Sequence, residues 1–142
     1  MQYLVVVDTN VIISALLSKN WDASTTQVLN ALYDDKFTPI FNDEILAEYD
    51  EVLHRKKFHF PESTIQATLN YFKKYGLYVD RLNTCEELPD QKDLVFYEVC
   101  MAKRDEDSML VTGNMKHFPA KPFIVTPNEL LEIISNNKPM LP

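Results

Sequence analysis

Five residues near the start, Tyr3-Leu4-Val5-Val6-Val7, form an apolar, largely β-branched run that stops abruptly at an acid, Asp8. A strand with one wet face alternates apolar and polar residues, whereas a strand covered on both faces need not. Comparable short runs recur at Phe37 to Phe41, Leu77 to Val79, Met109 to Thr112 and Phe123 to Val125. Helical patterns separate them. Parallel neighbours need a long crossover, commonly a helix, so this alternation predicts an α/β fold with a mostly parallel sheet covered on both faces.

The helices have their own signals. Val11, Ile12, Ala15 and Leu16 recur at helical spacing, with Thr9 or Asn10 available as a cap. A second helix is expected from Thr25 to Tyr33. Asn42 or Asp43 can cap a third, whose apolar stripe is Ile45, Leu46, Tyr49, Val52 and Leu53. A fourth follows Pro61 and runs towards Tyr75. Asp90-Gln91-Lys92-Asp93 opens a fifth, apolar around most of its circumference from Leu94 to Ala102 and therefore buried. The last starts at the capping box Thr126-Pro127-Asn128-Glu129 and runs towards Ser135.

Composition narrows the function classes. The 142 residues suit a single domain, 1–142, that can bury a core without disulfides. Two glycines leave no room for a P-loop or a dinucleotide fingerprint. Cys85 and Cys100 are too few and too isolated for a disulfide framework or a zinc site. No basic segment precedes the first apolar run, and no run approaches the ~20 residues that span a bilayer. A soluble, cytoplasmic chain with no membrane partner is the expectation. The net charge of −7, from 21 acids and 14 basic residues, has the wrong sign for gripping nucleic acid by bulk electrostatics. Local basic patches remain, at His54-Arg55-Lys56-Lys57, Lys73-Lys74, Lys103-Arg104 and Lys116-His117, and each also reads as a solvated helix end.

Chemistry concentrates in a few oxygen donors. Asp8 lies where a buried parallel strand runs out, the end at which open α/β sheets bind ligands. It reads either as a helix cap or as a carboxylate needing a cation or hydrogen bonds. Glu48 falls on the edge of its helix's apolar stripe, beside Ile45 and Val52, while Asp43, Glu44, Asp50 and Glu51 project away. Asp90 and Asp93 bracket the start of the buried helix, as cap, dipole partner or ligand. Val111-Thr112-Gly113-Asn114 follows a short buried strand, with Gly113 allowing a tight turn and Thr112 and Asn114 offering a hydroxyl and an amide. Carboxylates crowded at one rim repel unless a cation neutralises them, and oxygen ligation suits Mg²⁺ or Mn²⁺ rather than zinc.

In this arrangement the chain resembles the PIN-domain family, and within it the VapC-like toxin nucleases of toxin–antitoxin pairs. Val7-Asp8-Thr9-Asn10-Val11-Ile12-Ile13-Ser14-Ala15-Leu16 looks like that family's first acidic motif. Ile45 to Leu53, followed by Arg55-Lys56-Lys57-Phe58, is similar to the second, and Asp90-Gln91-Lys92-Asp93 to the third. Leu110-Val111-Thr112-Gly113-Asn114 with His117-Phe118 matches the fourth, and Ile124-Val125-Thr126-Pro127 the usual end. The resemblance implies a three-layer α/β/α sandwich and a Mg²⁺- or Mn²⁺-dependent endoribonuclease. It implies Asp8, Glu48 and Asp93 as principal metal ligands and catalytic carboxylates. Asp90 would be auxiliary, Asn114 would bind directly or through water, and Thr9, Asn10 and Thr112 would order the site by hydrogen bonding. RNA is the implied substrate, a small antitoxin and a second copy of the chain the implied partners.

Many members carry Asp where this chain has Asn114, an oxygen without charge, so a second metal site would be the first to weaken. The competing reading is a catalytically weak or inactive PIN-like module that binds RNA or a partner. A haloacid-dehalogenase-like phosphatase would need an Asp at Asn10, and a receiver domain poorly fits Asn42-Asp43 after the second strand. The RNA target leaves no local code.

Overall fold

The computed structural model describes residues 2–136. In chain order the elements are β1 (Tyr3–Val7), α1 (Thr9–Leu17), α2 (Ser24–Tyr33), β2 (Phe37–Phe41), α3 (Asp43–Leu53) and α4 (Glu62–Tyr75). They continue with β3 (Leu77–Tyr78), α5 (Leu94–Ala102), β4 (Met109–Val111), β5 (Ile124–Val125) and α6 (Pro127–Asn136). The five strands form one sheet in the order β3-β2-β1-β4-β5, and every pairing is parallel. On one side α2 packs against α1 and α6; on the other α3 packs against α4 and α5. The result is the α/β/α sandwich that the strand–helix alternation predicts.

β1 sits in the middle, in register with β2 through Val5 and Pro39 and with β4 through Val7 and Val111. Val5, Val6 and Val7 are buried, as an unalternating run requires. The chain leaves β1 towards β2 and β3, then returns past it to β4 and β5. β1 and β4 therefore end side by side, where the direction of winding reverses and ligands of such sheets bind.

Local signals settle several ends. Asn42 caps α3, its Oδ1 accepting the Ile45 N–H at 2.9 Å. The Thr126–Glu129 box forms reciprocally, with bonds of 2.8 and 3.1 Å. Of the caps the sequence offers for α1, Asp8 takes the position in place of Thr9 or Asn10, without a side-chain cap bond. Two differences from the sequence expectation stand out. Val79 and Thr112 lie just past their strands, still donating N–H groups to Phe41 O and Val125 O. Gly113 is not demanded by backbone conformation, because no glycine has positive φ and a Cβ there would lie 3.5 Å from Asn10 Oδ1. Gly76 is the position where the chain needs a glycine, since a Cβ would meet Phe72 O at 2.5 Å and the Phe41 ring at 2.8 Å.

Candidate functional site

The site starts from the adjacent ends of β1 and β4. The Asp8 N–H donates to Val111 O at 3.0 Å, continuing the ladder one step past the strand. Thr112 Oγ1 then donates to Asp8 Oδ2 at 2.7 Å, and Asn10 Nδ2 donates to the same oxygen at 3.1 Å. Asn10 Oδ1 in turn accepts the Gly113 N–H at 3.1 Å, and Thr112 Oγ1 accepts the Asn114 N–H at 2.9 Å. Asn10 and Thr112 thus tie the two strand ends together around one carboxylate oxygen. Thr9 contributes through its backbone N–H; its Oγ1 is buried without a hydrogen-bond partner.

Asp8 is 4% exposed, and burial raises its carboxyl to about 6. The Thr112 bond and the Thr9 N–H oppose that rise, while Asp93 and Glu48 add to it. Glu48 is the half-buried acid of α3, and Asp43, Glu44, Asp50 and Glu51 are exposed, as the position of its apolar stripe predicts. Burial raises its carboxyl too; Lys92 and Arg55 pull it down while Glu51 and Asp93 push it up. Asp93 is half-buried at the start of α5 and likewise raised by burial, with His117 lowering and Asp90 raising it. Asp90 is exposed and serves as a cap, its Oδ1 accepting the Lys92 N–H at 3.0 Å. Asn114 is exposed at the rim.

These groups line one open pocket of about 410 Å³, which gathers Asp8, Thr9, Asn10, Glu48, Asp90, Asp93 and Asn114. Ile13, Leu17, Val52 and Phe58 supply apolar wall, with Ser14, Arg55 and His117 completing it. Thr112 lies just beneath, fully buried.

Sequence reasoning missed three supports. Tyr49 reads as core, and its ring is, but its hydroxyl donates to Val7 O directly before Asp8. His117 was visible only as part of a motif; its Nδ1 lies 3.1 Å from Asp93 Oδ2. Glu98, 3% exposed in α5, receives Arg81 Nε at 2.7 Å and the Thr84 N–H at 2.8 Å, while Arg81 Nη1 reaches Glu44 of α3 at 2.7 Å. Burial pushes the Glu98 carboxyl up, but Thr84 and Arg81 outweigh it and hold it below the usual carboxylate value. Arg81 therefore links the helix bearing Glu48 to the one that follows Asp93. A lone acid inside an apolar helix was the only signal available.

A family model described as a PIN domain matches residues 4–116, from β1 to the turn after β4. This chain belongs to the PIN-domain family. Members are generally nucleases, and the fold is a nuclease-type fold. No curated protein matches the chain.

Whether this PIN domain's residues suit a divalent ion is a question of donors. All the pocket's acidic groups are oxygen donors, as a hard cation prefers. Asp8 is bonded to a hydroxyl and an amide, which orient it without neutralising it, and the neighbouring Thr9 hydroxyl is buried without a partner. Both features suit a cation with its water shell. Among the described residues no three Asp, Glu, His or Cys side chains close on a single point. A divalent ion at this rim would therefore need water to complete its shell.

Proposed function

We propose that this PIN domain is a metal-dependent endoribonuclease that hydrolyses RNA phosphodiester bonds. Asp8, Glu48 and Asp93 would hold Mg²⁺ or Mn²⁺, with Asp90 auxiliary and Asn114 contributing a neutral oxygen directly or through water. The carrying observation is Asp8: a carboxylate buried at a sheet end, pinned by one oxygen, with Asp93 and Glu48 raising it further and, among the described residues, no ion-pair partner. When bound, the ion would polarise the phosphate and make a water nucleophilic near neutral pH.

The chain's own residues prepare that chemistry. Thr112 and Asn10 hold Asp8 Oδ2 in one orientation, and Tyr49 fixes the strand end beneath it. Glu48 enters from α3, Lys92 and Arg55 opposing the rise that burial imposes on its carboxyl. His117 holds Asp93 Oδ2 and orients that carboxylate at the pocket wall. Arg55 places positive charge at the rim, where an incoming phosphate needs it. The choice of RNA, a role as the toxin of a pair whose small antitoxin covers the acidic pocket, a homodimer and a cytoplasmic setting rest on the motif resemblance to the VapC-like branch.

A second reading, a PIN domain that binds RNA or a partner with weak or no catalysis, is favoured by Asn114, whose neutral side chain adds no charge to the pocket. Purified protein incubated with a mixed RNA pool in Mn²⁺, Mg²⁺ or EDTA decides between them. Metal-dependent cutting that falls at least about 100-fold in Asp8→Asn is the expected result. Absence of cutting by folded, partner-free protein in either metal would overturn the nuclease reading in favour of the binding module.

A further inference from the structure

We propose that the turn joining α3 to α4, residues 54–60, is the shelf along which single-stranded RNA leaves the carboxylate pocket, with phosphates on Lys56 and Lys57 and a base against Phe58. The proposal rests on the nuclease reading of that pocket. Arg55 and Phe58 belong to the pocket wall, and Arg55 also borders a second hollow of about 280 Å³ shared with Lys56, His59 and Phe60. Arg55 is thus a wall that the two hollows share.

Charge along this path is opposite to that of the chain as a whole, which is −7. The nearby acids are already engaged. Glu51 takes a two-pronged bond from Arg55 at 2.7 and 2.8 Å, and His54 lies between Asp50 and Glu62. Neither Lys56 nor Lys57 has an ion-pair partner among the described residues. A solvated helix end would put basic residues in the last turn of α3. That turn has none: the run lies wholly beyond Leu53, and its lysines sit in a separate turn, Lys56–Phe58, whose aromatic residue lines the pocket.

The aromatics supply the other half of the chemistry. Phe58 and Phe60 stack, with centroids 5.5 Å apart and planes 15° from parallel, and Lys57 Nζ lies 5.1 Å from the Phe58 ring centre. His59 between them is left-handed, at φ 56° and ψ 32°, a conformation that L side chains adopt reluctantly. It lets the backbone reverse so that both rings stay on one side of the turn. Cations that follow phosphates beside ring faces that accept bases are how proteins hold single strands without reading their sequence.

The test is fluorescence anisotropy of a labelled single-stranded oligoribonucleotide, titrated in EDTA so that nothing is cut, with wild type, Lys56→Gln/Lys57→Gln and Phe58→Leu. Loss of the two lysines should flatten the slope of log affinity against log salt by about 1.4, at ~0.7 per phosphate contact. Phe58→Leu should weaken binding by roughly 5- to 100-fold for the intact strand and leave a strand abasic throughout unaffected. Because Phe58 is half-buried, the solvent-exposed lysine pair, with its melting temperature checked, carries the decision alone if Phe58→Leu misfolds. An unchanged slope in a folded lysine variant overturns the shelf, whether or not the protein cuts RNA. Binding through these residues by a protein that cuts nothing would sink the nuclease reading and leave the shelf standing.

Discussion

At Asp8 stability and chemistry pull against each other. Burial lifts its carboxyl from an ordinary 3.8 to about 6, so the folded state holds this proton more tightly than the unfolded chain does. The stabilisation from protonation is full below about pH 4 and is lost as pH rises through about 6. Over that window it amounts to at most ~3 kcal/mol. Asn at this position can still accept from Thr112 but never ionises. Asp8→Asn without added metal should therefore be the more stable protein near pH 8, by ~1–3 kcal/mol, and the advantage should shrink towards pH 4. Thermal melts across that range check it, and an advantage independent of pH would remove the buried charge as its cause. Asp8 and Glu48 were both legible, one from the strand that precedes it and one from its place on a helical stripe. The Asp93–His117 contact was not, because its partners lie 24 positions apart in elements whose packing no local pattern encodes.

Elements were legible where one repeating signal defined them and illegible where a distant partner did. The stripe of α3 and the box of α6 could be written from spacing alone. The bracing of α3 and α5 could not, because Arg81 lies in a segment without periodicity, and it meets Glu98 only after both helices have docked. Glycine shows the same division. Gly76 closes α4 against Phe41 with no room for a methyl group, whereas at Gly113 the backbone is ordinary and a methyl group would make only a normal contact, 3.5 Å from Asn10 Oδ1. Gly76→Ala should lose ~1–3 kcal/mol through overpacking, and Gly113→Ala should stay within about 1 kcal/mol of wild type. Urea unfolding of the two variants measures this, and equal losses would refute the packing argument.

For the whole molecule, the alternation of strand and helix conveyed the class of fold but not the strand order. Nothing near Met109–Val111 shows that it will lie beside β1 rather than β3, because parallel neighbours joined by crossovers share no local signal. Held at the meeting of β1 and β4, a cation should stabilise the entire fold. Mn²⁺ at about 100 times its dissociation constant is expected to add ~2.7 kcal/mol. For a chain of this size the melting point should then rise by roughly 10 °C. The rise should shrink below pH 6, where protons compete for Asp8, and vanish in Asp8→Asn; an equal rise in that variant would place the ion elsewhere. The hydrogen bond from Thr112 to Asp8 also spans 104 positions, from the end of β4 back to the end of β1. A fragment that ends before Thr112 keeps only the Asn10 bond to that carboxylate and loses the shorter of the two. Assembly of this centre therefore waits for the chain to be made as far as Thr112.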